Sequence, residues 1–228
     1  MNLRLQGKVQ HTAFELNGNS GRFTEIFLAS EYRGIPRWTL GGNIPLIQLD
    51  IEGDSHFGVG NSVVYGEWRL EASTFASTAF GTQIELPWGS AHGMADNHWV
   101  LLPYVSSHIP VGDLFLMVNL GYAQSVGLHS HGDESDEDLV YVNPHESSEV
   151  VGRLAFGAPF FEERLQAMAT LATQQALVGE GERSFVQSGF RMQFRFNDAL
   201  AIRLMGEAPI TEAKRFENRF MLGLVYDL

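Results

Sequence analysis

Charged side chains recur at every second position in several segments of the chain. Between positions 185 and 196, Arg191 and Arg195 alternate with Met192 and Phe194. Side chains two residues apart lie on the same face of a β-strand, so such a segment has one charged face and one apolar face. Charges that share an enclosed face can steer a passing solute by the sign of their field. Alternatively, they pair across strands and fill the interior, because desolvated charges need partners.

The face predicted to point inward collects nine basic and six acidic residues, an excess of three positive charges. They are Arg4, Lys8, Arg37, Arg69, Arg153, Arg191, Arg195, Arg203 and Arg219, with Glu25, Glu31, Glu67, Glu85, Glu207 and Glu217. This excess predicts a lumen that weakly favours anions. Ion-pair filling and a selective pore both remain open at this point.

The segment 126–146 concentrates histidine and carboxylate side chains and contains neither Lys nor Arg. Its candidate metal ligands are His129, His131, Asp133 and His145. Imidazoles two residues apart, with carboxylates nearby, bind divalent metals such as Zn, Cu or Ni, and carboxylates alone bind Ca. The alternative is a solvated acidic loop, as runs of like charge usually are. No tightly held cofactor is predicted.

Ser106 and His108 share one face of a predicted strand, and Asn119 lies on the next strand. A hydroxyl, an imidazole and a polar orienting group form the basis of a nucleophilic hydrolase. The alternative is a polar inward face without catalysis. Both residues precede Pro110, at the end of the strand predicted to be periplasmic, and we expect the protein not to be an enzyme.

Twelve segments with alternating polarity must position these side chains. They span approximately 2–15, 23–33, 36–46, 61–71, 75–87, 97–109, 113–125, 147–159, 164–177, 185–196, 199–210 and 216–228. The even count and the alternation of short turns with longer connections, such as 47–60 and 126–146, are typical of single-chain bacterial outer-membrane barrels. The phase of this alternation predicts that both termini are periplasmic.

Composition limits the remaining classes. No run approaches the roughly 18 apolar residues of a membrane helix, so a membrane protein of this sequence must be a closed all-β barrel. The net charge of −12 argues against nucleic acid as a partner. The absence of cysteine removes disulfides and thiolate metal sites. No signal peptide precedes Leu3, and we expect it to have been removed.

The residues between 37 and 125 carry a family resemblance. An apolar segment ends in Ile44-Pro45-Leu46, and Phe57-Gly58-Val59-Gly60-Asn61, Pro87-Trp88-Gly89 and Asn119-Leu120-Gly121-Tyr122 follow in that order. This order resembles the meta-pathway of phenol degradation family of outer-membrane transporters, which usually has Asp at the position of Asn61. The resemblance implies an outer-membrane barrel that passes small hydrophobic or aromatic solutes.

These observations predict one domain, residues 1–228, forming an antiparallel up-and-down transmembrane β-barrel of about twelve strands. The predicted location is the outer membrane of a Gram-negative bacterium, with membrane lipid and a small-molecule solute as partners. The predicted function is passive passage of small solutes through a narrow charged lumen. The alternative is a non-conducting surface barrel whose loop 126–146 binds a divalent metal or a partner. The solute and the oligomeric state stay open.

Overall fold

The computed structural model is a closed antiparallel β-barrel. It describes residues 2–16, 19–70, 76–89, 98–127, 147–177, 184–212 and 215–228. Within these ranges, no helix is long and apolar enough to cross a membrane.

The barrel wall consists of thirteen strands in chain order. They are β1 (Leu3–Leu16), β2 (Asn19–Tyr32), β3 (Trp38–Ile51), β4 (Asp54–Val59), β5 (Ser62–Arg69), β6 (Ser77–Leu86), β7 (Trp99–Val111), β8 (Leu114–Val126), β9 (Ser148–Phe160), β10 (Leu165–Ala176), β11 (Ser184–Arg195), β12 (Leu200–Pro209) and β13 (Asn218–Asp227).

The barrel closes because β13 pairs with β1 while β1 also pairs with β2. Strands β4 and β5 occupy one position in the wall, since both pair with β3, β4 along its second half and β5 along its first. The thirteen strands therefore fill twelve positions around the barrel. This confirms the predicted all-β transmembrane barrel and its even count.

The prediction of a long loop over 47–60 was wrong. Strand β3 continues to Ile51 and returns as β4 through a tight turn, in which Glu52 has φ 50° and Gly53 has φ 101°. Two consecutive positive φ values are typical of a type I′ hairpin turn, which matches the twist of its strands. The connection predicted over 17–22 is also shorter, because β2 begins at Asn19.

The two faces of the wall follow the pairing register. On β1 and β13, Leu5, Val9, Leu222 and Leu224 point outward and are 42–50% exposed. Such an apolar outer surface is suited to contact with lipid acyl chains. The inward positions of the same strands carry Arg4, Gln6, Lys8 and Gln10 on β1.

The barrel has two distinct ends. The turn end carries the chain termini and the turns 33–37, 112–113, 161–164 and 196–199. The loop end carries connections that lie wholly or partly outside the described residues. The periplasmic orientation of the termini stays a prediction.

Candidate functional site

Most of the predicted inward residues lie on the inward face of a strand. They are Arg4, Lys8, Glu25, Glu31, Glu67, Glu85, Arg153, Arg191, Arg203, Glu207 and Arg219. Four others lie at the barrel rims. Arg37 belongs to the turn before β3 with φ 66°, Arg69 and Arg195 end their strands, and Glu217 precedes β13. The strands are shorter at these ends than predicted, so the lumen walls hold fewer charges than expected.

An acidic wall, defined as Glu31, Glu67 and Glu85, lies on β2, β5 and β6. Glu31 and Glu67 each accept a hydrogen bond from a tyrosine two strands away, and Glu85 accepts one from Asn61, which precedes β5. The Tyr65 hydroxyl donates to Glu31 at 2.8 Å, and the Tyr104 hydroxyl donates to Glu67 at 3.4 Å. The side-chain amide of Asn61 donates to Glu85 at 3.0 Å. These donors hold the carboxylates in fixed positions.

Two glycines make the tyrosine contacts of the acidic wall possible. Gly41 stands between Glu31 and Tyr65 in the register, and Gly81 stands between Glu67 and Tyr104. A Cβ at Gly41 would lie 2.5 Å from Cζ of Tyr65, and a Cβ at Gly81 would lie still nearer to Cζ of Tyr104, both closer than the two atoms can approach. Each ring therefore crosses one strand over a glycine before its hydroxyl meets the carboxylate.

A second cluster links three strands nearer the loop end. Glu207 accepts a hydrogen bond from Nη2 of Arg153 at 3.2 Å, and its other carboxylate oxygen lies 3.8 Å from Nη1 of Arg219. The guanidinium of Arg219 also lies 4.3 Å from the centre of the Phe216 ring. Because Arg153 is on β9 and Glu207 on β12, this ion pair crosses part of the lumen.

At the loop end itself, Arg215 forms an ion pair with the fully buried Glu149 and donates to Gln174 at 3.2 Å. Its guanidinium lies 4.5 Å from the centre of the Phe185 ring. Phe185 therefore faces inward and not outward towards the membrane. The reason is register, since Phe185 is opposite the inward Gln174.

At the turn end, Arg4 joins the first and last strands. Its Nη2 donates to Asp227 at 2.9 Å, and Nη1 lies 3.9 Å from Glu31. Arg33 also forms an ion pair with Glu31. Asp227 and Arg4 are opposite each other in the register that closes the barrel.

Between these paired clusters is a cationic wall, defined as Lys8, Arg191 and Arg203. Each of the three is within electrostatic reach of the other two, and the carboxylates of Glu31, Asp227 and Glu207 act on them from beyond ion-pair distance. Among the described residues, no carboxylate lies within ion-pair distance of any of them. Arg203 donates to Gln193 at 2.6 Å and to Gln6 at 3.2 Å, and both partners are neutral amides. The barrel therefore leaves these charges without a counter-charge in contact.

The remaining inward contact of this wall is also neutral. Nη2 of Arg191 lies 3.8 Å from the sulfur of Met205, and its Nε is buried with no hydrogen-bond partner in the described part of the chain. A methionine sulfur is a weak acceptor, so it does not compensate a guanidinium.

Burial of the inward side chains changes along the barrel axis. Near the loop end, Phe14, Phe23, Ile47 and Leu49 are at most 2% exposed. Around mid-height and towards the turn end, inward residues such as Gln83 are half-buried. The lumen is therefore tightly packed near the loop end of β1 to β3 and more accessible from mid-height to the turn end.

Sequence reasoning missed several inward residues. Tyr65 has the same strand parity as Glu67, which was selected, so the alternation could have found it. Arg215 was assigned to the connection before the last strand and Glu149 to the predicted strand 147–159, and only the structure pairs them.

The proposed hydrolase residues do not form a catalytic pair. Ser106 is opposite Asn119 in the register, as expected from the sequence, but the His108 ring packs on Phe115 with centroids 5.4 Å apart. No hydrogen bond joins Ser106 to His108, both of which the structure describes. His108 is thus not placed as a base for Ser106.

The candidate metal ligands lie outside the described residues. His129, His131, Asp133 and His145 all fall within 128–146. Within the described ranges, no group of three or more histidine and carboxylate side chains could hold a metal ion. The loop site stays a prediction.

Comparisons with known proteins resolve the fold. No family model matches the chain, and no curated protein matches it in sequence. An outer membrane channel from Pseudomonas putida F1 is similar in structure, with a TM-score of 0.76 over 100% of this chain and 95% of that one, at 10% identity. The fold is that of an outer-membrane channel barrel. No match in sequence supports the resemblance to the meta-pathway of phenol degradation family.

Two further structures are similar over nearly the whole chain. The KdgM porin in complex with disordered oligogalacturonate gives a TM-score of 0.60 at 11% identity, covering 99% of both chains. The CymD monoaromatic hydrocarbon channel gives 0.52 at 7% identity, covering 100% of this chain and 88% of its own. The shared fold and the apolar outer surface together confirm the predicted location, the outer membrane of a Gram-negative bacterium.

Proposed function

We propose that the protein is an outer-membrane channel for the passive passage of small solutes through a charged lumen. The observation that carries this proposal is the cationic wall, three inward charges at mid-height that contact no carboxylate within the described ranges. A barrel that served only as a scaffold would gain stability from neutralising or replacing such charges. A charged inward surface beside side chains that are only half-buried instead suits a solute path.

The solute is polar or charged rather than a pure hydrocarbon. The walls facing the lumen carry guanidinium, carboxylate, amide and phenol groups, and a hydrocarbon would gain little from displacing the water that hydrates them. The resemblance to phenol-degradation transporters implies hydrophobic or aromatic solutes, and the CymD neighbour is a monoaromatic hydrocarbon channel. An aromatic solute carrying a polar group would satisfy both indications.

The alternative function is a non-conducting barrel whose loop 126–146 binds a divalent metal or a partner. It predicts binding without flux. No described contact favours it over the channel.

Planar-bilayer recording of the refolded full chain tests the proposal. We expect discrete single-channel steps, and flux of small solutes into liposomes, that depend on the correctly folded barrel. Protein kept unfolded in urea and diluted into the same bilayers is the control. Folded barrel that inserts but gives neither current steps nor solute flux would overturn the channel function.

A further inference from the structure

The cationic wall costs the barrel stability. Three neighbouring cations repel one another, and partial burial strengthens the repulsion because the surroundings are less polar than water. In the described part of the chain, Arg4, Arg153 and Arg215 each contact a carboxylate instead. Locally unfavourable arrangements of this kind tend to occur where a protein binds something.

Two members of the wall, Lys8 and Arg203, flank Gly223, and the absence of a side chain there leaves a gap that we call the Gly223 notch. Lys8 and Arg203 stand on either side of this glycine in the register of β1, β13 and β12. A Cβ at Gly223 would lie 3.3 Å from Cγ of Lys8 and 3.7 Å from Cβ of Arg203. Only a residue without a side chain leaves this space between the two cations empty.

The guanidinium of Arg203 is oriented by its neighbours. It donates through Nε to Gln193 and through Nη1 to Gln6. Its Nη2 amino group makes no hydrogen bond to any described residue, so it can donate to a further acceptor. The carboxylates of the acidic wall accept hydrogen bonds from tyrosine or asparagine. None of them accepts a hydrogen bond from Nη2 of Arg203.

We propose that Lys8, Arg191 and Arg203 bind the oxyanion group, a carboxylate or a phosphate, of a small solute in transit at the Gly223 notch. The planar guanidinium matches both groups in geometry, and the ammonium of Lys8 adds a compact charge. This inference rests on the proposed channel function and names its substrate class. Binding must remain weak enough for the solute to leave.

Blockade of chloride current in planar bilayers tests the site. The probes are citrate, inorganic phosphate and the neutral polyol sorbitol. We expect citrate or phosphate to reduce chloride current in a saturable manner and sorbitol to show no saturation. The anion that blocks at the lower concentration distinguishes a carboxylate solute from a phosphate solute.

The decisive variant replaces Lys8, Arg191 and Arg203 with Gln. We expect it to weaken blockade at least about tenfold and to lower the anion-to-cation permeability ratio. Gly223→Val keeps every charge but fills the notch, and we expect about tenfold weaker blockade from it as well. A version of the triple variant that carries Arg203→Lys in place of the change to Gln should recover part of the blockade.

Arg22→Gln is the matched control, because it removes one positive charge from an outward side chain that is 66% exposed. It should leave blockade and selectivity unchanged. Heat-dependent mobility on gels verifies that each variant forms a folded barrel. Equal blockade in the unmodified and triple-variant barrels would overturn the anion site while leaving the channel function intact.

A binding measurement distinguishes failure of the channel function from failure of the anion site. If the refolded barrel carries no current, the channel function fails, and calorimetric titration of citrate and phosphate into detergent-refolded protein tests the site alone. Heat that is lost in the triple variant would support the site. An absence of heat with the unmodified barrel would overturn it.

Discussion

The charged groups of the acidic wall and those of the cationic wall differ in their contacts. On the acidic wall, Glu31, Glu67 and Glu85 each accept a hydrogen bond from a neutral side chain. On the cationic wall, Lys8, Arg191 and Arg203 have neutral neighbours at most and no carboxylate in contact among the described residues. The comparison shows that charges in one lumen can be held by neighbouring side chains on the acidic wall and stay available to a solute on the cationic wall.

The largest effect should come from filling the space beneath a tyrosine of the acidic wall. We expect Gly81→Val to lower the free energy of unfolding by about 4 kcal/mol, because the new side chain displaces the Tyr104 ring and breaks its hydrogen bond to Glu67. Urea unfolding in lipid vesicles, followed by tryptophan fluorescence, measures it.

Gly7→Val is the matched control for Gly81→Val. Gly7 is also a strand glycine, but it points outward, and a Cβ there would meet no atom within 4 Å. We expect Gly7→Val to change the free energy of unfolding little. Equal losses in both variants would show that strand glycines matter for another reason and that the acidic wall is not held by its tyrosines.

An intermediate effect is expected from removing one hydroxyl from the acidic wall. Tyr65→Phe should cost about 2 kcal/mol, because its bond to Glu31 is short and charge-assisted. Tyr104→Phe should cost about 1 kcal/mol, because its bond to Glu67 is longer at 3.4 Å. The same urea titration compares them, and the reverse order would contradict the geometry of the wall.

The smallest effect on stability is expected on the cationic wall. Arg203→Gln should change the free energy of unfolding by no more than about 0.5 kcal/mol, because losing two hydrogen bonds to amides is offset by relief of repulsion from Lys8 and Arg191. Arg153→Gln, which leaves Glu207 without its Arg153 contact, is the comparison variant and should cost more. A larger loss for Arg203→Gln would mean that the cationic wall, too, is structural.

Much of the fold could be predicted from the sequence. Alternation identified the strands that form the twelve positions, and it correctly placed charged residues such as Lys8 and Arg203 on one face and Leu222 and Leu224 on the other. Prediction failed where the backbone bends. The hairpin around Glu52 and Gly53 looks like a polar loop in the sequence, because the returning strand β4 has only 6 residues and the turn takes two residues with positive φ.

The candidate site was less predictable. The sequence indicated an excess of inward positive charge but not which charges would meet. Phe185 is an example, since only its register opposite the inward Gln174 shows that it faces the lumen and contacts Arg215.

By itself, the sequence determined which side chains share a face, because the two-residue period of a strand is a local property of the backbone. It thereby determined an apolar outside, a charged inside and an even number of strand positions. Only the tertiary structure decided the partners. Arg153 meets Glu207 although 54 residues separate them in the chain, and Lys8 stands beside Gly223 because closure brings the first strand against the last. Pairing of charges depends on register and on closure of the barrel, and neither can be read from the alternation within one strand.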